Sequence, residues 1–249
     1  MVRAGIITGF GINADEELVQ AFRMAGAETD LCHISDVIEE PGSIHKYHIL
    51  GFAGGFSFGD HIGSGLVFAH LCRQHLKQEL SRFISEGRIV IGICNGFQVL
   101  VKMGMLPNLR EDWTQEVSLI HNDSGVFEDS WVSVECSSRS PCIWTRGISR
   151  IELPIRHGEG RFICGDSAIR KSLQDEGLIA LTYADRNPNG SELGIAGITD
   201  RTGLILGLMP HPEAFLVPQN HPRWLRECPP SGEGLKFFQN GVNYIKGKI

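Results

Sequence analysis

The segment Ile89-Val90-Ile91-Gly92-Ile93-Cys94-Asn95-Gly96-Phe97-Gln98 decides the fold. Its apolar, β-branched start, which we extend to Arg88–Ile93, is typical of a strand buried on both faces of a parallel sheet. The residues Asn95–Met103 then carry apolar side chains at helical spacing. A strand that passes through Gly-x-Cys-x-Gly into a helix is the nucleophile-elbow pattern with cysteine in place of serine. The segment therefore predicts that Cys94 stands on a sharp turn above a parallel sheet.

Strand and helix patterns alternate around this segment, which indicates a parallel sheet with helices on both faces. In the first third, Asn13-Ala14-Asp15-Glu16 is typical of a capping box that opens a helix. The other predicted elements there are strands Ala4–Thr8, Thr29–Ile34 and Tyr47–Phe52 and helix Leu66–Ile84. The second half is richer in strands, with candidates Trp131–Cys136, Arg150–Arg156, Leu178–Tyr183, Leu193–Asp200 and Leu204–Leu208 and helices Asp166–Gln174 and Gly234–Ile245. We predict an α/β fold with an open, mostly parallel sheet, added antiparallel strands in the second half, and one domain over residues 1–249.

Composition excludes several classes of protein. The chain has 249 residues, of which 42% are hydrophobic and 21% charged, close to ordinary globular usage. Its formal charge of −6 argues against a broad basic surface for nucleic acid. No apolar run approaches the roughly 18 residues of a membrane span. The N-terminus lacks the apolar core of a secretory signal, so we expect a cytoplasmic protein that binds neither membrane nor nucleic acid.

Cysteine usage points to one special thiol. The count is odd and Cys-x-x-Cys is absent, which argues against a disulfide framework or a zinc ribbon. The seven cysteines are Cys32, Cys72, Cys94, Cys136, Cys142, Cys164 and Cys228. Most cysteines are small buried hydrophobes, and we interpret six of these so. The glycines around Cys94, with a strand before it and a helix after it, favour a nucleophile whose oxyanion would meet the N–H of Asn95.

A thiol nucleophile needs a base, and the base needs a group to orient it. Both His157-Gly158-Glu159 and His211-Pro212-Glu213 could supply the pair, because residues i and i+2 on an extended chain point the same way. The prolines make the second unit more rigid, yet spacing alone leaves both open. The two units together could also hold a metal, as in a metallohydrolase. A metal site would not explain why Cys94 lies in a nucleophile-elbow pattern.

A glycine-rich loop follows the third predicted strand, in Gly51-Phe52-Ala53-Gly54-Gly55-Phe56-Ser57-Phe58-Gly59-Asp60. At the carboxyl end of a parallel strand, such a loop can turn backbone N–H groups toward a ligand. The N–H of Gly55 is then a candidate for a second oxyanion donor, although the composition fits an ordinary mobile loop equally well. No phosphate-binding Gly-x4-Gly-Lys motif accompanies it.

With these motifs in view, the sequence resembles the class I (triad) glutamine amidotransferases. The closer likeness is to the glutaminase subunits and domains of phosphoribosylformylglycinamidine synthase, in purine biosynthesis. It covers most of the chain. The segments on which this resemblance rests are Gly92–Gln98, Pro210–Glu213, Gly54–Asp60, Pro154–Phe162, Asn122–Ser124, Asn187–Ser191 and His221–Trp224.

The resemblance implies a flavodoxin-like amidotransferase fold and a triad of Cys94, His211 and Glu213. It implies an oxyanion hole from Gly55 and Asn95, and the side chains of Gln98 and His157 near bound glutamine. It implies no metal or cofactor in this chain. ATP and Mg²⁺ would belong to a partner synthetase subunit, with or without a small accessory subunit, that receives ammonia and makes formylglycinamidine ribonucleotide.

Two departures from the family fall near the face expected to meet that partner. Ala214 stands where an arginine commonly follows His-Pro-Glu, and the segment from Tyr183 to Asn187 is short. Two alternatives therefore stay open: an amidotransferase that serves another synthetase, and a cysteine hydrolase on the same fold that does not use glutamine.

Overall fold

A computed structural model describes residues 1–227 and 231–249, and a nine-stranded sheet forms its centre. The strands are β1 Arg3–Thr8, β2 Glu28–His33, β3 Ile49–Phe52, β4 Ile89–Ile93, β5 Val117–Ile120, β6 Glu128–Cys136, β7 Arg150–His157, β8 Arg161–Cys164, β9 Ile179–Tyr183, β10 Ile195–Thr199 and β11 Ile205–Leu208. The order in the large sheet is β2-β1-β3-β4-β11-β10-β9-β6-β7, while β5 and β8 form a separate pair. Cys228 lies outside the described residues.

The large sheet has a parallel half and an antiparallel half. Strands β2, β1, β3, β4 and β11 pair in parallel, and every pairing from β11 to β7 is antiparallel. The parallel sheet with added antiparallel strands is thus confirmed. The order β2-β1-β3-β4 is that of doubly wound folds, which bind ligands outside the carboxyl ends of their strands.

Helices cover both faces of the parallel half. The helices of the described residues are α1 Asp15–Met24, α2 Ile34–Glu39, α3 Leu66–Ser85, α4 Asn95–Lys102, α5 Ser167–Asp175, α6 Trp224–Glu227 and α7 Leu235–Lys246, of which α5 packs against β8 instead. A Cβ at Gly51 of β3 would lie 2.9 Å from Leu18 of α1. The next residue, Phe52, packs its ring against Phe68 of α3. Because consecutive strand residues face opposite sides, α1 and α3 lie on opposite faces of the sheet. Within the described residues, no helix is both long and apolar enough to cross a bilayer.

The start of α1 differs from the sequence prediction. The predicted capping box is wrong, because the N-cap residue is Ala14 and makes no side-chain cap. The backbone N–H groups of Asn13 and Ala14 instead donate to the carbonyl of Gly54, at 3.3 and 3.2 Å. This turn therefore holds the glycine-rich loop against the start of α1, a tertiary role that the local pattern did not reveal.

Two glycines let α4 approach the sheet. A Cβ at Gly96 would lie 2.0 Å from the carbonyl oxygen of Phe52, and one at Gly92 would lie 2.8 Å from the carbonyl oxygen of Gly96. Both contacts are with backbone atoms, which cannot rotate away as a side chain could. The sharp turn between β4 and α4 thus requires glycine on both sides of Cys94.

This packing predicts that Gly96→Ala destabilises the protein. Overpacking of this kind typically costs about 1–3 kcal/mol in the free energy of unfolding, which exceeds the gain in helix propensity. Gly42→Ala is the matched control, because a Cβ at Gly42 would meet nothing within 4 Å. Urea denaturation checks the prediction, and equal midpoints for the two variants would contradict it.

Candidate active site

Cys94 occupies the predicted elbow. It follows β4 directly and precedes the first residue of α4, with φ 52° and ψ −107°. A positive φ is strained for a residue with a side chain and persists only where the surrounding structure enforces it. The N–H of Cys94 donates to the carbonyl of Leu208 on β11 at 2.8 Å, and its Sγ donates to the carbonyl of Arg156 on β7 at 3.7 Å. The thiol therefore lies between the parallel half of the sheet and strand β7 of the antiparallel half.

The other described cysteines differ from Cys94 in their surroundings. Burial raises the pKa of Cys136 to about 12. It also raises that of Cys142 to about 11 and of Cys164 to about 11. These thiols stay protonated at neutral pH, and none of the three stands directly between the last residue of a strand and the first residue of a helix, as Cys94 does. Their structural interpretation agrees with this burial.

His211 and Glu213 form a buried hydrogen-bonded pair, with Nδ1 of the histidine 2.6 Å from Oε1 of the glutamate. Burial alone would lower the pKa of His211, but the Glu213 carboxylate and the sulfur of Cys94 outweigh it, so the pKa is raised above 6.5. Because Nδ1–H is donated to Glu213, Nε2 is the nitrogen left for chemistry. In the described part of the chain, Nε2 has no hydrogen-bond partner.

His211 and Cys94 both pack close to Gly54. A Cβ on this glycine would be 3.1 Å from Cε1 of His211 and 3.5 Å from Cβ of Cys94. Both residues line a pocket of about 130 Å³. Its full lining is Asn13, Ala14, Gly55, Phe56, Cys94, Phe127, Arg156 and His211. The structure thus brings the predicted nucleophile and the predicted base to one small pocket.

The two predicted oxyanion donors have unoccupied N–H groups. Gly55 lines the pocket with φ 151°, and it pairs with Ile12 in an isolated bridge. Neither the N–H of Gly55 nor that of Asn95 reaches an acceptor within residues 1–227 or 231–249. A free donor beside the nucleophile is what an oxyanion hole needs. Their assignment to that role stays a prediction.

The side chain of Asn95 ties the glycine-rich loop to the elbow. Its Oδ1 accepts from the N–H of Ser57 at 3.2 Å, and its Nδ2 donates to Asp60 at 3.2 Å and to Oε1 of Gln98 at 2.9 Å. The other end of Gln98 donates to the carbonyl of Glu159. Gln98 is therefore buried behind the pocket with both ends of its amide bonded, and direct contact with glutamine stays a prediction.

His157 differs from His211 in its partner. Its Nδ1 lies 3.1 Å from Oδ1 of Asn122, and the amide of Asn122 donates to the carbonyl of His157, so Nδ1 carries the proton. Burial and the neighbouring His211 lower the pKa of His157 to about 4. Glu159 accepts from the N–H of Ser64 instead of bonding to His157. Of the two His-x-Glu units, only His211 and Glu213 form a hydrogen-bonded pair, and a contact of His157 with glutamine stays a prediction.

The four residues of the alternative metal site are not gathered, since His157 bonds to Asn122 and His211 to Glu213. Among the described residues, the one close group of potential ligands is Glu152, His221 and Glu227. The guanidinium of Arg223 bonds to both of these glutamates. A cation already fills that cluster, so the metallohydrolase interpretation has no support here.

Sequence reasoning missed Arg156, which lines the pocket. Its Nη2 lies 3.4 Å from Nδ1 of His211 and 3.2 Å from Glu17 of α1. The only local signal was its place directly before His157. A larger cavity, of about 690 Å³, lies between α1 and the segment that contains Ala214. No cysteine or histidine lines it, so we assign the active site to the smaller pocket.

The geometry agrees with comparisons to known proteins. The model of the CobB/CobQ-like glutamine amidotransferase domain matches residues 1–245. The chain therefore belongs to the CobB/CobQ-like glutamine amidotransferase family.

Comparison with individual proteins shows which members of this family are similar to the chain. The chain is 39% identical to phosphoribosylformylglycinamidine synthase subunit PurQ of Dehalococcoides mccartyi, over 98% of each chain. It is 34% identical to the subunit of the same name from Archaeoglobus fulgidus, over 98% of this chain and 97% of the relative. Among solved structures it resembles a chain of PurLQS from Thermotoga maritima, with a TM-score of 0.74, 28% identity and coverage of 98% and 99%.

The hydrogen bond between His211 and Glu213 predicts that the pKa of His211 depends on Glu213. Glu213→Gln removes the carboxylate that raises the pKa of His211 and leaves the burial that lowers it, so the pKa should fall. Titration of the histidine ring signals by NMR measures this directly. His157 is the internal control, because its pKa is already lowered by burial and should stay low. An unchanged His211 pKa would show that Glu213 does not stabilise the imidazolium.

Proposed function

We propose that the chain is the glutaminase component of phosphoribosylformylglycinamidine synthase and releases ammonia from glutamine. The observation that supports this proposal most directly is the pocket lined by Cys94 and His211, in which His211 is hydrogen-bonded to the buried Glu213. The similarity to subunits named PurQ extends over nearly the whole chain, which supports the assignment and one amidotransferase domain over residues 1–249. We further propose that it acts in the cytoplasm.

In this mechanism the thiol proton of Cys94 passes to His211, and the sulfur attacks the carboxamide carbon of glutamine. The C–S bond of a thioester forms as the C–N bond breaks. The N–H groups of Gly55 and Asn95 stabilise the negative oxygen of the tetrahedral intermediate. His211 donates a proton to the departing ammonia and then takes one from the water that releases glutamate. Glu213 orients His211 and stabilises its cationic form, as the carboxylate of a triad does.

The ammonia must pass directly to a synthetase, because free ammonia is protonated at neutral pH and loses its nucleophilicity. We propose an ATP- and Mg²⁺-dependent synthetase subunit as the partner, in line with the PurLQS title of the Thermotoga relative. The rings of Phe56 and Phe127 are 47% and 52% exposed at the pocket. Exposed aromatic rings beside an active site suit the docking of another protein.

The assignment predicts that the glutamine analogue 6-diazo-5-oxo-norleucine becomes attached to Cys94. Mass spectrometry of tryptic peptides should find one modified cysteine, and Cys94→Ser should abolish both the label and glutaminase activity. Cys142→Ser is the matched control, because Cys142 is buried away from the pocket. Absence of the label in an enzyme that still hydrolyses other substrates would favour the non-glutamine hydrolase.

The second prediction concerns the glycine-rich loop. If the loop can turn the Gly55 N–H away from the pocket, the oxyanion hole is incomplete until the partner docks. One missing donor costs about 100- to 1,000-fold in kcat. We therefore expect weak activity from the isolated chain and stimulation of roughly 10- to 1,000-fold in the complex. Glutamate release with and without the synthetase, at saturating ATP and ribonucleotide, measures this. Full activity in the isolated chain would contradict the loop mechanism.

A further inference from the structure

The charge in the active-site pocket is uneven. Of the eight residues that line it, only Arg156 has a permanently charged side chain, and none is acidic. The other walls are aromatic rings, small residues and the asparagine Asn13. A carboxylate that enters so small a pocket loses much of its hydration, which is costly unless a cation pairs with it. The pocket thus offers one site for an anionic group, at the Arg156 guanidinium.

Some N–H donors of the Arg156 guanidinium contact no other side chain among the described residues. Both of its side-chain contacts in the described part of the chain use Nη2, toward Glu17 and toward His211. The contact with His211 supplies no hydrogen bond in the paired state, because Nδ1–H of the ring is donated to Glu213. An arginine carries five N–H donors on a planar fork. The Arg156 side chain is 36% exposed, and Glu17 holds it at the pocket. Among the described residues, Nε and Nη1 contact no other side chain and can bond a ligand.

We propose that Arg156 binds the α-carboxylate of glutamine and so selects an amino acid substrate over a plain amide. This inference rests on the proposed function. Planar, bidentate pairing with a carboxylate is the contact for which arginine is best suited. Arg156 is thus a binding residue for the substrate end that does not react, and it acts on affinity more than on the chemical step.

The reach of the substrate fits this assignment. The backbone carbonyl of Arg156 lies 3.7 Å from Sγ of Cys94, so this residue borders the nucleophile itself. In glutamine, four carbon–carbon bonds separate the carboxamide carbon from the α-carboxylate. Arg156 and Cys94 line the same pocket, and the guanidinium lies 3.4 Å from Nδ1 of His211, so a glutamine bound at Cys94 can extend its carboxylate toward Arg156. The carboxylate can bind through Nε and Nη1 while Nη2 keeps its contact with Glu17.

The test compares two substrates on two enzymes. L-Glutaminamide keeps the shape of L-glutamine and replaces its α-carboxylate with a neutral amide. The wild type, assayed with its synthetase, should prefer glutamine by about 10- to 100-fold in kcat/KM, the usual worth of a charged hydrogen bond. In Arg156→Ala most of that preference should disappear, because a higher KM for glutamine lowers kcat/KM for glutamine more than kcat/KM for glutaminamide.

Controls separate binding from folding. Arg82→Ala is the matched variant, because Arg82 also pairs with a glutamate but lies on the outer face of α3, and it should keep the preference. Arg156→Met retains the aliphatic stem and should lose the preference even if Arg156→Ala folds poorly. Equal losses on both substrates, or no preference in the wild type, would overturn the role of Arg156. Failure of the wild type to hydrolyse glutamine with its synthetase would instead overturn the proposed function.

Discussion

The close approach of α4 to strands β3 and β4 is the constraint on which the site depends. Gly92 and Gly96 allow it, since a side chain at either would collide with backbone. The approach forces a positive φ on Cys94, a conformation that costs of order 1–3 kcal/mol and that neighbouring contacts must enforce. As a result, the thiol of Cys94 projects from the end of the sheet, and the N–H of Asn95, the first residue of α4, makes no hydrogen bond to any described residue. The reactive geometry is thus a consequence of packing beneath it.

The environment also shifts the pKa values of two buried histidines, His157 and His211, in opposite directions. His211 faces a carboxylate and a sulfur, and its pKa is raised. His157 bonds to the neutral amide of Asn122, and burial and the neighbouring His211 lower its pKa to about 4. A residue that gains and loses a proton in turn needs a partner for its cation, whereas a neutral ring can only accept or donate a hydrogen bond. Burial is common to both, so the difference lies in the partner.

Much of this could be predicted from local patterns. The elbow, the parallel strands and most helices follow from apolar spacing and glycines that lie close in sequence. The choice between His157 and His211 could not, because it depends on Asn122, which is 35 residues from His157. The role of Arg156 could not be predicted from the sequence for the same reason. Its importance arises only when β7, at the far edge of the sheet, curls back to meet Cys94. The capping box failed because the backbone of Asn13 bonds to the loop at Gly54.

The position of β11 has a consequence for how the protein is made. It is the last strand along the chain, yet it lies in the middle of the sheet, between β4 and β10. A ribosome therefore releases β1 to β4 first, with an open edge at β4, and the sheet is complete only when β11 inserts between β4 and β10. Cys94 receives its backbone partner from Leu208 in that same step, and His211 follows three residues later. A nascent or truncated chain thus carries the cysteine without its base, and the thiol gains its catalytic partner only as the sheet is completed.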